Sequence, residues 1–262
     1  MLKPLRNPRN KKKRRILIAL LSVIDIALIV ILAVSLLSEK NIIPNSEPEN
    51  AGVTQIAEKQ IQKEEATTQT DENEKEDELL ILVNYNNPLP DDYKADLVSS
   101  YQGCKVDNRC KSALEEMMKA AKEDGCRPYI ISAYRSIDYQ KSLYNRKISE
   151  YTRFGYTKQE AEKEASGWVA YPGTSEHHLG LAVDIVDSSN RTLDESQEKT
   201  KTQKWLIENC YDYGFILRYP NNKKDITHIN YEPWHYRYVG KENAKRIKES
   251  GGLCLEEYLG KD

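Results

Sequence analysis

Four residues of this chain have the types and spacing of a hydrolytic metal site: His177 and Asp184 in the run Ser175-Glu176-His177-His178-Leu179-Gly180-Leu181-Ala182-Val183-Asp184, and Glu232 and His235 in Glu232-Pro233-Trp234-His235. Two imidazoles and a carboxylate are the donors that a catalytic Zn2+ takes when three protein groups hold it and a fourth position stays open for water. Hydrolysis also requires a carboxylate that is not a ligand, placed to take a proton from water and pass it to the leaving group. Glu232, three residues before a ligand, fills that role, and the set reads as a zinc peptidase. A lone His-x6-Asp pair is more often a surface histidine and a capping acid. The second histidine, three residues after an acid, makes the metal reading specific. Of the neighbouring imidazoles, the motif spacing favours His177 over His178. His228 is expected to be hydrogen-bonded or exposed rather than a ligand.

Local patterns define the elements that must position these groups. Residues 79–83 form a short apolar run and read as an opening strand. Ser112 and Glu115 have capping-box spacing, with Leu114, Met117, Met118 and Ala121 on one face and Gly125 as a stop, so a helix is expected there. Residues 128–133 read as a buried strand, and a helix follows from about Asp138. Thr157 and Glu160 form a second capping box, opening a helix that ends near Gly167.

Residues 180–186 read as a strand with Leu181, Val183 and Ile185 on one face and Ala182 and Asp184 on the other. A long helix is expected over 196–213, strands over 215–218 and 234–239, and a closing helix over 241–250. In the last strand His235 and Arg237 share a face, while Trp234 and Tyr236 alternate with them. Trp234 is read mainly as core, with one wall of the pocket as its other role.

The rest of the chain is strongly segmented. Residues 1–15 hold eight basic residues and no acid, so a total charge of -2 leaves -10 for everything after them. Residues 16–37 are apolar apart from Asp25, about the length a helix needs to cross a bilayer. The run is longer than the core of a cleavable signal and lacks a small-residue cleavage site, so residues 16–38 are expected to be an uncleaved transmembrane anchor. The basic excess places the N-terminus in the cytoplasm and the remainder outside. Lying beside the span, that excess speaks for topology and lipid contact and against nucleic acid. Residues 39–78 lack aromatic residues and end in an acidic run, the composition of a disordered tether. The folded domain is expected over 79–262, large enough for a single core.

Five cysteines, Cys104, Cys110, Cys126, Cys210 and Cys254, fall in that domain. Export permits disulfides, and a Cys104–Cys110 pair is the first expectation because a turn lies between them. No Cys-x-x-Cys pair exists, which speaks against a structural zinc cluster.

Together, Ser175-x-His177-x-x-Gly180-x-Ala182-x-Asp184, the flanking Pro172-Gly173-Thr174, Glu232 to Gly240, Ser132-Ala133-Tyr134-Arg135-Ser136 with Gln140, and Tyr213 to Pro220 resemble the VanY-type D-alanyl-D-alanine carboxypeptidases. The resemblance covers essentially all of residues 79–262. It implies an α+β, hedgehog/D,D-peptidase-like fold in which an antiparallel sheet carries the zinc site and helices cover its other side. It also implies zinc on His177, Asp184 and His235, Glu232 as catalytic base, and Arg135 contacting substrate and steadying charge on the scissile carbonyl. Ser175 and Gln140 match pocket positions. The implied substrates are peptidoglycan stem peptides or precursors, which lose a C-terminal D-alanine.

A free terminal carboxylate calls for an arginine fork, and Arg135, Arg218 and Arg237 compete for that place. Two other readings stand beside this one: an L,D-carboxypeptidase acting on the tetrapeptide stem with the same zinc site, and a catalytically silent wall-binding module. Retention of Glu232, Arg135 and all three ligands argues against the silent module.

Overall fold

The computed structural model describes residues 78–261. The expected basic segment, the 16–38 span and the tether up to residue 77 lie outside these residues. Among the described residues no helix is long and apolar enough to cross a membrane.

A short hairpin of β1 (Leu97–Ser99) and β2 (Lys105–Asp107) leads into α1 (Asn108–Glu123). Asp107, not a residue near Ser112, caps this helix, because its extended backbone and carboxylate accept the Arg109 N–H at 3.0 Å. Helix α1 therefore starts before the expected box, and Ser112 lies inside it. Its buried stripe of Cys110, Ala113, Leu114, Met117, Met118 and Ala121 has the three- and four-residue spacing of a core-facing helix. After β3 (Pro128–Ser132), the Ser136 hydroxyl accepts the Tyr139 N–H and opens α2 (Ile137–Arg153). Helix α3 (Lys158–Ser166) opens on the expected Thr157–Glu160 capping box, with both reciprocal bonds formed.

Strand β4 (Ala182–Asp187) is buried at all six positions and runs through the middle of the fold. Helix α4 (Lys201–Asn209), β5 (Phe215–Leu217), a single helical turn α5 (Lys224–Thr227), β6 (His235–Tyr238), α6 (Lys241–Glu249) and α7 (Leu255–Tyr258) follow. The main sheet has the order β3-β4-β6-β5 with every pair antiparallel, giving the expected α+β architecture. One side of the sheet packs Leu181, Val183 and Ile185 into a core with Leu114, Met117 and Met118 of α1. Register then brings chemistry together on the other side. Asp184 pairs directly with His235 across β4 and β6, and with Ser132 across β3 and β4. Slipping one residue would turn Asp184 to the opposite face.

Three local expectations change. Residues 79–83 do not form a strand: a 3-10 turn spans Glu78–Leu80. The carbonyls of Leu79 and Ile81 instead accept hydrogen bonds from the buried Arg237 Nη2 at 2.8 and 3.0 Å, so no neighbouring strand is required to satisfy them. The 196–213 helix is divided into a 3-10 turn at Glu195–Lys199, α4, and a second turn at Cys210–Tyr213, because Thr200 is extended and its hydroxyl caps Gln203 N–H. All five cysteines are free. The extended strand β2 separates Cys104 from Cys110, whose thiol is buried against the carbonyls of Asp107 and Gly180.

Gly180 joins the turn carrying His177 to β4. Its φ is +72°, and a Cβ there would stand 2.8 Å from the Asp107 backbone nitrogen, which itself donates to the Gly180 carbonyl at 2.9 Å. The positive φ and the close backbone approach both require glycine. Gly180→Ala is expected to cost about 2 kcal/mol of stability, read as a lower urea midpoint with an unchanged slope.

Candidate metal centre and active site

His177 is carried on a 3-10 turn, Glu176–Leu179, between Ser175 and the left-handed Gly180. Its Nδ1 lies 2.7 Å from the Ala133 carbonyl and so carries the proton, which leaves the Nε2 lone pair facing the Asp184 carboxylate at 3.3 Å. From β6, His235 directs Nδ1 to the other oxygen of Asp184 at 3.1 Å. One donor atom from each of the three residues falls within 4.8 Å of the others, and all three side chains are buried.

Two of the atoms turned toward one another, His177 Nε2 and Asp184 Oδ1, have no hydrogen-bond partner among the described residues. Buried polar atoms are costly when unsatisfied. Two imidazoles and a carboxylate converging in this way fit a zinc ion with an open position.

The second layer of the site rests on Glu176, a residue that the motif spacing did not single out. Its Oε1 accepts from Arg218 Nε at 2.7 Å and Arg237 Nη1 at 2.9 Å, while Oε2 faces His235 Nε2 at 3.6 Å. Arg218 also donates two bonds to Glu256, at 2.8 and 2.7 Å. Both arginines are fully buried. They therefore do not compete for a substrate carboxylate; of the three arginines considered for that place, only Arg135 faces the cavity. The available signal was the shared face of His235 and Arg237 together with an acid adjoining His177.

Charge is distributed unevenly over these groups. Burial disfavours ionised Glu176, but the guanidiniums of Arg218 and Arg237 outweigh it and hold the carboxyl well below its usual range. Burial likewise opposes ionised Asp184, and His177 and Arg135 overcome it. Burial and then Arg135 push His177 down to about 4, against the pull of Asp184. His235 goes the other way: burial opposes its charge, yet the carboxylates of Asp184 and Glu176 raise it to about 9. Burial, aided by Asp184, pushes Glu232 up to about 8, with His235 and Arg135 opposing.

Arg135 donates from Nε to Ser132 Oγ at 2.7 Å, from Nη1 to Gln140 Oε1 at 3.2 Å, and from Nη2 to the Asp184 carboxylate. Gln140 does not line the pocket as expected. It is fully buried behind Arg135, and its Nε2 donates to the Ala170 carbonyl at 2.8 Å. Ser175, Trp234 and Glu232 do line a cavity of about 280 Å³ together with Arg135 and the three metal-site residues. Glu232 Oε2 lies 3.6 Å from His235 Nδ1. His178 turns away from the cluster: its Nδ1 donates to the Arg135 carbonyl at 2.7 Å and its Nε2 accepts the Gly173 N–H at 3.2 Å. His228 is exposed, with its ring beside Tyr85.

Comparisons with known proteins point to one family. A family model described as VanY, D-alanyl-D-alanine carboxypeptidase, matches residues 103–241. A D-alanyl-D-alanine carboxypeptidase of Enterococcus faecalis (strain ATCC 700802 / V583) is 45% identical over 193 residues, which is 73% of this chain and 69% of the relative. A solved structure of VanYB in complex with D-alanine-D-alanine superposes with a TM-score of 0.64 at 45% identity, over 70% of this chain and 98% of that one. A solved VanY D,D-pentapeptidase from a VanB-type resistance cassette, a Glu-to-Ala variant in complex with Zn(II), gives a TM-score of 0.63 at 45% identity, over 69% and 98% of the two chains.

Two outcomes test the metal centre. A proton and a metal compete for His235 Nδ1, so the raised value near 9 means that zinc must displace a proton at neutral pH. Zinc affinity is expected to rise about tenfold per pH unit between pH 6 and 8 and to level off above 9, as read by chelator competition. Glu176→Gln removes the negative charge facing His235 Nε2. It is expected to weaken zinc binding about tenfold or more in the same assay, with the folded state checked by circular dichroism.

Proposed function

Because the chain belongs to the VanY family of D-alanyl-D-alanine carboxypeptidases, we propose that it is a zinc D,D-carboxypeptidase removing the C-terminal D-alanine from peptidoglycan stem peptides or precursors. The observation that carries this reading is Glu232, a buried carboxylate outside the ligand set, opening into the same cavity as the three metal-site residues and Arg135.

In this reading His177 Nε2, Asp184 and His235 Nδ1 hold the zinc. When bound, zinc supplies a Lewis acid that makes a water acidic enough to attack at neutral pH and polarises the scissile carbonyl. Glu232 accepts the proton of the attacking water and returns it to the nitrogen of the departing D-alanine. It must begin the cycle ionised, a state that His235 and Arg135 already favour and that a nearby dication favours further. Arg135 is held by Ser132 and Gln140 so that its guanidinium supports negative charge as it develops on the carbonyl oxygen. Ser175 and Trp234 bound the pocket for the terminal residue. Burial of the cluster keeps bulk water away and strengthens each of these interactions.

The amino-terminal third of the sequence supports a further reading. Residues 1–15 form a basic cytoplasmic segment, 16–38 a single membrane span, 39–78 a tether, and 79–262 an extracellular catalytic domain. The apolar run and the flanking charge asymmetry motivate it, and a tethered domain outside the membrane would meet its peptide substrate there.

Alanine release from pentapeptide and tetrapeptide stems, with and without chelator, tests the activity. Release from the pentapeptide alone, abolished by chelator, is the expected result. Release from the tetrapeptide alone would assign L,D specificity, and no release from either would defeat the enzyme reading. Glu232→Ala is expected to keep zinc and lose nearly all turnover, whereas His235→Ala loses the metal. Zinc content measured beside activity separates the two roles.

A further inference from the structure

The cavity does not end at the metal cluster. It continues along α2, where Leu143, Arg146, Lys147 and Glu150 line it, spaced three, four and seven residues apart along one helical face. Gln140, on the preceding turn, binds Arg135. At 1.5 Å per residue, Lys147 and Glu150 lie roughly 10 and 15 Å farther along the helix.

The side chains beyond Gln140 on this face are all more exposed than it is. Gln140 is fully buried, Leu143 and Lys147 are half-buried, and Arg146 and Glu150 are exposed. The metal cluster is therefore the closed end of the cavity and the Arg146 end is its mouth. A carboxypeptidase takes the terminal residue of its substrate into the closed end, so the rest of the peptide must leave past Arg146. An extended chain advances about 3.3 Å per residue. The groups facing this stretch of α2 therefore belong to the second and third residues before the scissile bond.

The charges along the path are not equivalent. Arg135 is engaged by Asp184, and Lys147 binds Glu150 at 3.1 Å. Arg146 has no ion pair or hydrogen bond among the described residues. Leu193 and Ile229 also line the cavity, and Glu150, the acid one turn along the helix from Arg146, is already bound by Lys147. An unengaged guanidinium at the mouth of a peptide cavity offers a planar two-point donor matched to a carboxylate.

Resting on the carboxypeptidase reading above, we infer that Arg146 is a specificity-determining residue. It binds a free carboxylate carried by the second or third residue before the cleaved bond. The protein thereby distinguishes stem peptides bearing that carboxylate from those in which it is an amide.

The test uses acetylated pentapeptides ending in D-alanyl-D-alanine that are identical except for a carboxylate or a carboxamide at the second or third residue before the scissile bond. Zinc-loaded wild-type protein is expected to favour the acid at one of these positions by about tenfold in kcat/KM, with the difference in KM. That preference should shrink in 0.5 M salt, because the contact is exposed. Arg146→Gln is expected to abolish the preference by a loss that falls on the acid peptide, and Arg146→Lys to retain part of it. Equal turnover of acid and amide peptides by wild type, or an equal loss on both in Arg146→Gln, overturns the inference while the carboxypeptidase reading stands. Failure of wild type to release alanine from any of the peptides overturns that reading and the inference with it.

Discussion

The carboxylate of Glu176 is the point on which the catalytic half of this domain depends. It is bound by two guanidiniums that are both removed from water, Arg218 from the end of β5 and Arg237 from β6. Isolated, any of these charges would be prohibitively costly in the interior. Together they hold one another, with Glu256 of α7 balancing Arg218 and Asn84 donating to Glu256 at 3.0 Å. Removing one partner of such a network leaves an uncompensated buried charge, a loss on the order of 3–5 kcal/mol. The turn that carries His177, the strand that carries His235 and the last helix are thus fixed by a common set of bonds.

That arrangement lets two acids of the same chemical type take different parts. Glu176 lies between guanidiniums and stays ionised. Glu232, also buried but without such a clamp, has its carboxyl pushed up to about 8, in the range where a group can both take and give a proton. The two imidazoles diverge in a parallel way. A backbone carbonyl holds the proton of His177 on Nδ1, whereas Glu176 faces Nε2 of His235. Opposite ring nitrogens are consequently left to face the same carboxylate.

The metal-facing residues were legible in the sequence because ligation demands particular side chains at short spacing. Strand alternation then indicated which face of β4 carries Asp184. The Thr157–Glu160 cap was legible for the same reason: all of its bonds close within four residues. What was hidden depended on distant partners. Arg218 and Arg237 read as free forks for a substrate because Glu176 lies 42 and 61 residues away in the chain. Gln140 read as pocket lining, although it is the residue that orients Arg135. Residues 79–83 read as a strand because an apolar run reports burial but not what satisfies its backbone. Local competition explains the remaining shift, since Asp107 already supplies a cap before the chain reaches Ser112.

The two carbonyls of Leu79 and Ile81 that rest on Arg237 have a consequence for how the domain opens and closes. Terminal segments usually fray at little free-energy cost. Here fraying would strip acceptors from a buried guanidinium that also holds the carboxylate behind His235. Leu79, Ile81 and the metal centre therefore belong to one cooperative unit, and local unfolding of this segment cannot proceed independently of the site.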